Sequence, residues 1–266
     1  MTDFDRAIAL APQADGSILG HTSPAYANMV GPFGGVTAAQ AMNAVLLHPQ
    51  RLGDPVAFTV NFCAAMADGP FTALARPVRT NRSTQHWVVE LQQDGATALS
   101  ATAVTALRRD TWGVDEHPRP DAPAPDQVPQ AKSGMVEWIQ RYEMRFLEGG
   151  MPPDWDGSDQ GSSRTLLWVR DAPPRALDFA SLTALCDVFF PRVWRRRRSR
   201  VPIGTVSMTV YFHADAQALA QTGSGHLLSQ AHAHTFRRGF FDQTALLWNE
   251  AGLLLASAHQ VVYYKE

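Results

Sequence analysis

The sequence predicts an α+β protein made of two similar halves, each with one buried helix and an antiparallel sheet wrapped around it. Three observations lead there. A proline-rich stretch divides the 266 residues into parts of similar length. Strand-like segments recur in the same order on either side of it. Each half carries one apolar helical segment ahead of its main strands.

In the first half, Phe33-Gly34-Gly35 precedes Val36 to Leu47, a run rich in alanine and leucine. Those residues favour helix, and their small side chains allow close packing under a sheet. Phe58-Thr59-Val60-Asn61-Phe62 alternates in character and is rich in β-branched and aromatic residues, so it reads as a strand. Ala73 to Val78 and Gln85 to Gln92 read as further strands, and the turn Gln93-Asp94-Gly95 leads into a last strand ending near Leu107. Residues 113–133 then collect prolines with few apolar residues. Proline lacks an amide donor and disfavours helix in the residue before it, so this stretch reads as an extended linker. The expected division is residues 1–112, the linker 113–133, and residues 134–266.

The second half repeats the pattern. Asp178 to Phe190 is nearly all apolar and must be buried if helical; Asp178 can cap it and Pro191 stops it. Met208 to Ala214 matches Phe58 to Ala64, Leu227 to His234 matches Ala73 to Val78, and Ala245 to Asn249 matches Gln85 to Gln92. Ala251 to Tyr263 matches Gly95 to Leu107 and closes the chain as its counterpart closes the first half.

Composition narrows the function. With 45% hydrophobic and 18% charged residues, the chain can fill the cores of two modest domains. A formal net charge of -2 argues against a general nucleic-acid binder. No apolar run approaches the roughly 20 residues that span a bilayer, and the acidic N-terminus does not resemble a secretory signal. Cys63 and Cys186 are the only cysteines, so a disulfide framework is not expected and a cytoplasmic location is.

Taken together, Phe33-Gly34-Gly35, Leu185-Cys186-Asp187, Gly204 to His213 and Leu255 to Gln260 resemble the double-hotdog acyl-CoA thioesterases of the thioesterase II type. The resemblance covers roughly residues 16–112 and 140–264. It implies a double hotdog fold, an acyl-CoA substrate, and hydrolysis to free acid and CoA. In that family an aspartate, a threonine or serine, and a glutamine hold the attacking water; the matching residues are Asp187, Thr205 and Gln260. No cofactor is implied, and association into a homodimer or higher homo-oligomer is expected. This chain has Ser207 and Met208 where the family often has an acidic residue and a histidine, and Val36 where a glutamine often follows the glycine pair.

The residues carry a reading of their own. No Gly-x-Ser-x-Gly elbow occurs, so water is the natural nucleophile. A carboxylate at Asp187 among apolar neighbours needs a partner or a role, and burial would make it a better base. Gln260 lies in a strand of small and apolar residues and could position water or a carbonyl oxygen. Gly34 and Gly35 open a helix whose free amides could face an acyl carbonyl. The run Arg195-Arg196-Arg197-Arg198-Ser199-Arg200 reads as a solvated loop that could also meet the phosphates of CoA. His232 and His234 would point to one face of a strand, but no third ligand stands at a convincing spacing, so no metal is expected. The rival readings are a hotdog enoyl-CoA hydratase, which would need an acid/base pair, and an acyl-CoA-binding protein without efficient catalysis.

Overall fold

Strand alternation and the two alanine- and leucine-rich segments do produce sheets and helices in repeated order. The computed structural model describes residues 1–14, 16–131 and 134–266. The first half runs α1 (Asp3–Ala7), β1 (Ala11–Pro12), β2 (Ile18–His21), α2 (Gly34–Leu46), β3 (Asp54–Phe62), β4 (Pro70–Thr80), β5 (Thr84–Gln93) and β6 (Ala96–Ala106). The second runs β7 (Tyr142–Glu148), β8 (Thr165–Asp171), α3 (Phe179–Leu185), α4 (Arg192–Arg197), β9 (Ile203–Phe212), α5 (Ala216–Thr222), β10 (Leu227–His232), β11 (Phe236–Arg237), β12 (Phe240–Asn249) and β13 (Leu254–Tyr264).

All of these strands form one antiparallel sheet, in the order β1-β2-β4-β5-β6-β3-β9-β13-β12-β10-β8-β7, with β11 paired to β12. Counted outward from its centre, the order is the same on both sides: β3, β6, β5, β4, β2, β1 and β9, β13, β12, β10, β8, β7. The halves join through β3 and β9, where Thr59 faces Thr209 and their hydroxyl oxygens lie 3.0 Å apart. These two residues occupy matching places in the repeat, so the approximate two-fold axis passes between them.

The helices fill the inner face. Most of α2 is buried, which its small side chains permit. It packs against α3, and a Cβ on Gly35 would stand 2.7 Å from the Ala184 carbonyl oxygen and 2.5 Å from the Phe33 ring. Glycine at position 35 is thus a condition of the helix contact. Asp178 caps α3 by accepting the Ser181 amide at 2.8 Å.

The structure changes four readings. The second helix ends at Leu185, with Cys186 as its C-cap, so Asp187 to Phe190 is a turn; Pro191 precedes a separate helix. The arginine run is helical up to Arg197, because Val193 and Trp194 give it a buried side and arginine is a good helix former. Strands β7 and β8 come before α3, so the helix does not precede all the strands of its half. The proline-rich segment has no strand or α-helix over residues 113–131, with residues 132 and 133 of the expected linker outside the described residues, but has one 3-10 turn at Pro125–Gln127; it lies on the outer face of the second half. There Val128 packs with Leu166, Trp168 and Leu228, and the Trp168 indole donates to the Pro123 carbonyl at 2.9 Å.

Candidate active site

Between the halves lies a cavity of about 420 Å³, within the range of small-ligand pockets. Its walls come from the start of α2, the turn after α3, the start of β9, and the inner faces of β12 and β13. Phe62, Met66, Phe189, Phe190, Trp194 and Val262 make much of the wall apolar. Phe33 and Trp138, stacked with ring centres 4.2 Å apart, form another side.

Asp187 faces this cavity. Its side chain is half-buried because the cavity reaches it, while protein closes around it elsewhere. Its Oδ1 accepts a hydrogen bond from Gln260 Nε2 at 2.8 Å. The Gly35 amide lies on the side of the carboxylate and favours its ionised form. Desolvation is the largest influence and raises the carboxyl from 3.8 to about 7; the Gln260 and Gly35 donors pull in the opposite direction. A group that titrates near neutrality can both take and return a proton at modest cost.

Gln260 is buried on β13, opposite Met208 of β9. Its amide nitrogen also lies 3.5 Å from the Cys186 carbonyl oxygen and 3.4 Å from the Met208 sulfur. These contacts aim the nitrogen at Asp187. Gly34 lines the cavity, and a Cβ there would stand 2.9 Å from Asp187 Oδ2. The Gly35 amide, at the start of the same helix, favours the ionised Asp187 carboxylate.

Thr205 reaches the same cavity through a β-bulge. Val261 pairs with Ser207 but Val262 pairs with Thr205, leaving Val206 as the extra residue. Strict alternation from Met208 would turn residue 206 inward; the bulge turns Thr205 inward and leaves Val206 exposed. Thr205 makes no side-chain hydrogen bond to Asp187 or Gln260, so the structure joins Asp187 to Gln260 beside the glycine pair and sets Thr205 on the wall.

Gln243 was not singled out from the sequence. It is buried on β12, lines the cavity, and pairs in register with Gln260. Its signal was a polar residue in phase with Phe241 and Ala245, both of which are buried. Arg192 is fully buried and donates to the Ser163 and Phe190 carbonyls and to the Thr165 hydroxyl, so it does not partner Asp187. The neighbouring arginines are engaged elsewhere: Arg196 with Asp159, Arg197 with Glu266, and Arg200 stacked over Trp155. Cys186 is buried, and desolvation pushes its thiol far up, which leaves it inert.

One inward-facing helix per half, wrapped by a sheet that is continuous across a pseudo-two-fold, defines a double hotdog protein with its cavity between the halves. The comparisons give the family. Residues 23–106 match the acyl-CoA thioesterase N-terminal domain, and residues 115–264 match the acyl-CoA thioesterase C-terminal domain. The chain belongs to the acyl-CoA thioesterase family and is a thioester hydrolase. Its structure is similar to a conserved hot dog fold protein of unknown function from Alicyclobacillus acidocaldarius, with 44% identity over 100% of this chain and 99% of that one and a TM-score of 0.94. It is also similar to the tesB protein of Mycobacterium avium subs paratuberculosis, at 19% identity, TM-score 0.79, and coverage of 99% and 98%. An acyl-CoA thioesterase II, TesB2, from Mycobacterium marinum shares 16% identity at TM-score 0.75, with 98% of each chain covered. The last two likenesses concern the fold. A search among curated proteins found no match. No helix among the described residues is long and apolar enough to cross a membrane.

Proposed function

We propose that this chain hydrolyses acyl-CoA by direct attack of a water molecule activated by Asp187. The observation that carries the reading is the Asp187 carboxylate, held by Gln260 beside the start of α2 and facing an apolar cavity. The acyl chain lies along the apolar wall with its thioester carbonyl near the start of α2. Asp187 takes a proton from water as the water oxygen bonds to the carbonyl carbon. The resulting oxyanion sits near the N-terminus of α2, where partial positive charge favours it. The carbon–sulfur bond then breaks, and the thiolate takes the proton from Asp187. Free acid and CoA leave, and the carboxylate is restored.

Gln260 fixes the base, and Thr205 orients the water from the adjoining wall. The hydratase reading fits less well, because no histidine stands among the described residues that line the cavity. A pure binding role leaves the neutral-range carboxyl of Asp187 without a task. We also propose, from the sequence expectations alone, a cytoplasmic enzyme of lipid acyl turnover that associates as a homodimer or higher homo-oligomer.

The test is thiol release from short, medium and long acyl-CoAs, with Asp187→Ala beside the wild type. Release by the wild type that is lost in the folded variant supports the proposal. Tight binding of the esters without any thiol release would replace it with a binding role.

A further inference from the structure

On the outer face of the sheet, behind the cavity, the fold gathers side chains that are remote in sequence. His234 follows the end of β10, Asp242 lies on β12 and His259 on β13. One ligand atom from each lies within 4.8 Å of the others. Both imidazoles converge on one carboxylate oxygen: His234 Nδ1 lies 2.5 Å and His259 Nε2 3.3 Å from Asp242 Oδ2. The other oxygen, Oδ1, accepts the backbone amides of His234 and Thr235, each at 2.9 Å. The carboxylate is therefore oriented by the turn that carries His234, as an outer ring of hydrogen bonds orients metal ligands. His232 stands alongside, its ring centre 4.7 Å from that of His234.

We propose that His234, Asp242 and His259 form a binding site for a divalent transition metal of the zinc class. Two neutral imidazoles and a carboxylate are a donor set that zinc accepts, at bond lengths of about 2.0–2.2 Å. A tetrahedral ion then holds its ligand atoms about 3.3–3.5 Å apart, a spacing that small side-chain rotations provide. The fourth position belongs to water or to His232. Register explains why the sequence shows no third ligand for the histidine pair: Thr244 pairs with both His232 and His259, which brings β10 and β13 to the two sides of β12.

The site also has a place in the architecture. Asp242 precedes Gln243, and His259 precedes Gln260. Because neighbouring residues on a strand face opposite ways, the ion sits behind the two glutamines of the cavity and ties together the strands that carry them.

The test uses the full chain, stripped with a chelator and titrated with Zn²⁺ by calorimetry, then with Co²⁺ by visible absorption. His259→Gln and Asp242→Asn are compared with wild type; both are conservative, and circular dichroism confirms their fold. The proposal expects one Zn²⁺ per chain at micromolar Kd or tighter, ligand-field bands with Co²⁺, and at least a tenfold loss of affinity in each variant. It also expects zinc to raise the Tm of wild type but not of His259→Gln. The absence of stoichiometric binding, or binding that survives both substitutions, would overturn the site and leave the three side chains as a surface ion-pair network.

Discussion

Replacing Asp187 with asparagine should cripple the enzyme and stabilise the protein. Asparagine has nearly the same shape, and its Oδ1 can still accept from Gln260. It cannot take a proton from water, and loss of a general base lowers kcat by about 10²–10⁴-fold. The stability effect follows from the environment of the carboxyl. Folding raises it from 3.8 to about 7, chiefly by desolvation. The native state therefore holds the proton more tightly than the unfolded chain. No penalty exists below pH 3.8; it grows as the pH climbs and is complete above about pH 7, where it reaches about 4 kcal/mol. Asparagine stays neutral and escapes it. If half or more of that amount is recovered, the Tm at pH 8 rises by roughly 5–10 °C. The gain should shrink towards zero near pH 4. Differential scanning calorimetry across pH reads the stability, and thiol release reads the rate. Activity within threefold of wild type, or a Tm at pH 8 below wild type, would refute the reasoning.

Other outcomes follow from the same geometry. In wild type, kcat/KM should fall as pH drops below about 7, because the base must be ionised; a flat profile between pH 5 and 8 contradicts this. Gln260→Ala removes a donor that favours the ionised carboxylate, so kcat should fall and the acid limb should move to higher pH. Gly35→Ala drives a Cβ against the Ala184 carbonyl and the Phe33 ring. It should destabilise the protein by about 1–3 kcal/mol in chemical denaturation. Thr205→Val keeps the side-chain volume and removes the hydroxyl; kcat should drop about tenfold or more with little change in Tm, and an unchanged kcat would exclude Thr205 from holding the water.

Much of the fold could be read from one strand property. Where one face of the sheet is buried and the other wet, alternation marks the strand, as in Phe58 to Phe62 and Met208 to Phe212. Strand β8 escaped because Thr165 to Val169 is buried on both faces: its outer side lies under the proline-rich segment, so no alternation remains. The end of α3 was misplaced because Val188, Phe189 and Phe190 stay apolar after the helix stops. In the turn they serve the core and cavity as they would in a helix. Asp187 was visible as a charge in apolar surroundings, and the glycine pair as an unusual helix start. The inward turn of Thr205 was not visible, since the bulge at Val206 is set by pairing with β13. Gln243 and the outer-face cluster depend on register in the same way, which no local pattern encodes.

The central claim is that water, activated by Asp187, attacks the thioester directly. Single-turnover hydrolysis in ¹⁸O-water, with enzyme in excess over acyl-CoA, tests it most directly. The account predicts one ¹⁸O in the acid released on the first turnover and none in the Asp187 side chain, read by mass spectrometry of product and of the peptide. Label in Asp187, with unlabelled acid on the first turnover, would show that the carboxylate itself attacks and would contradict the account.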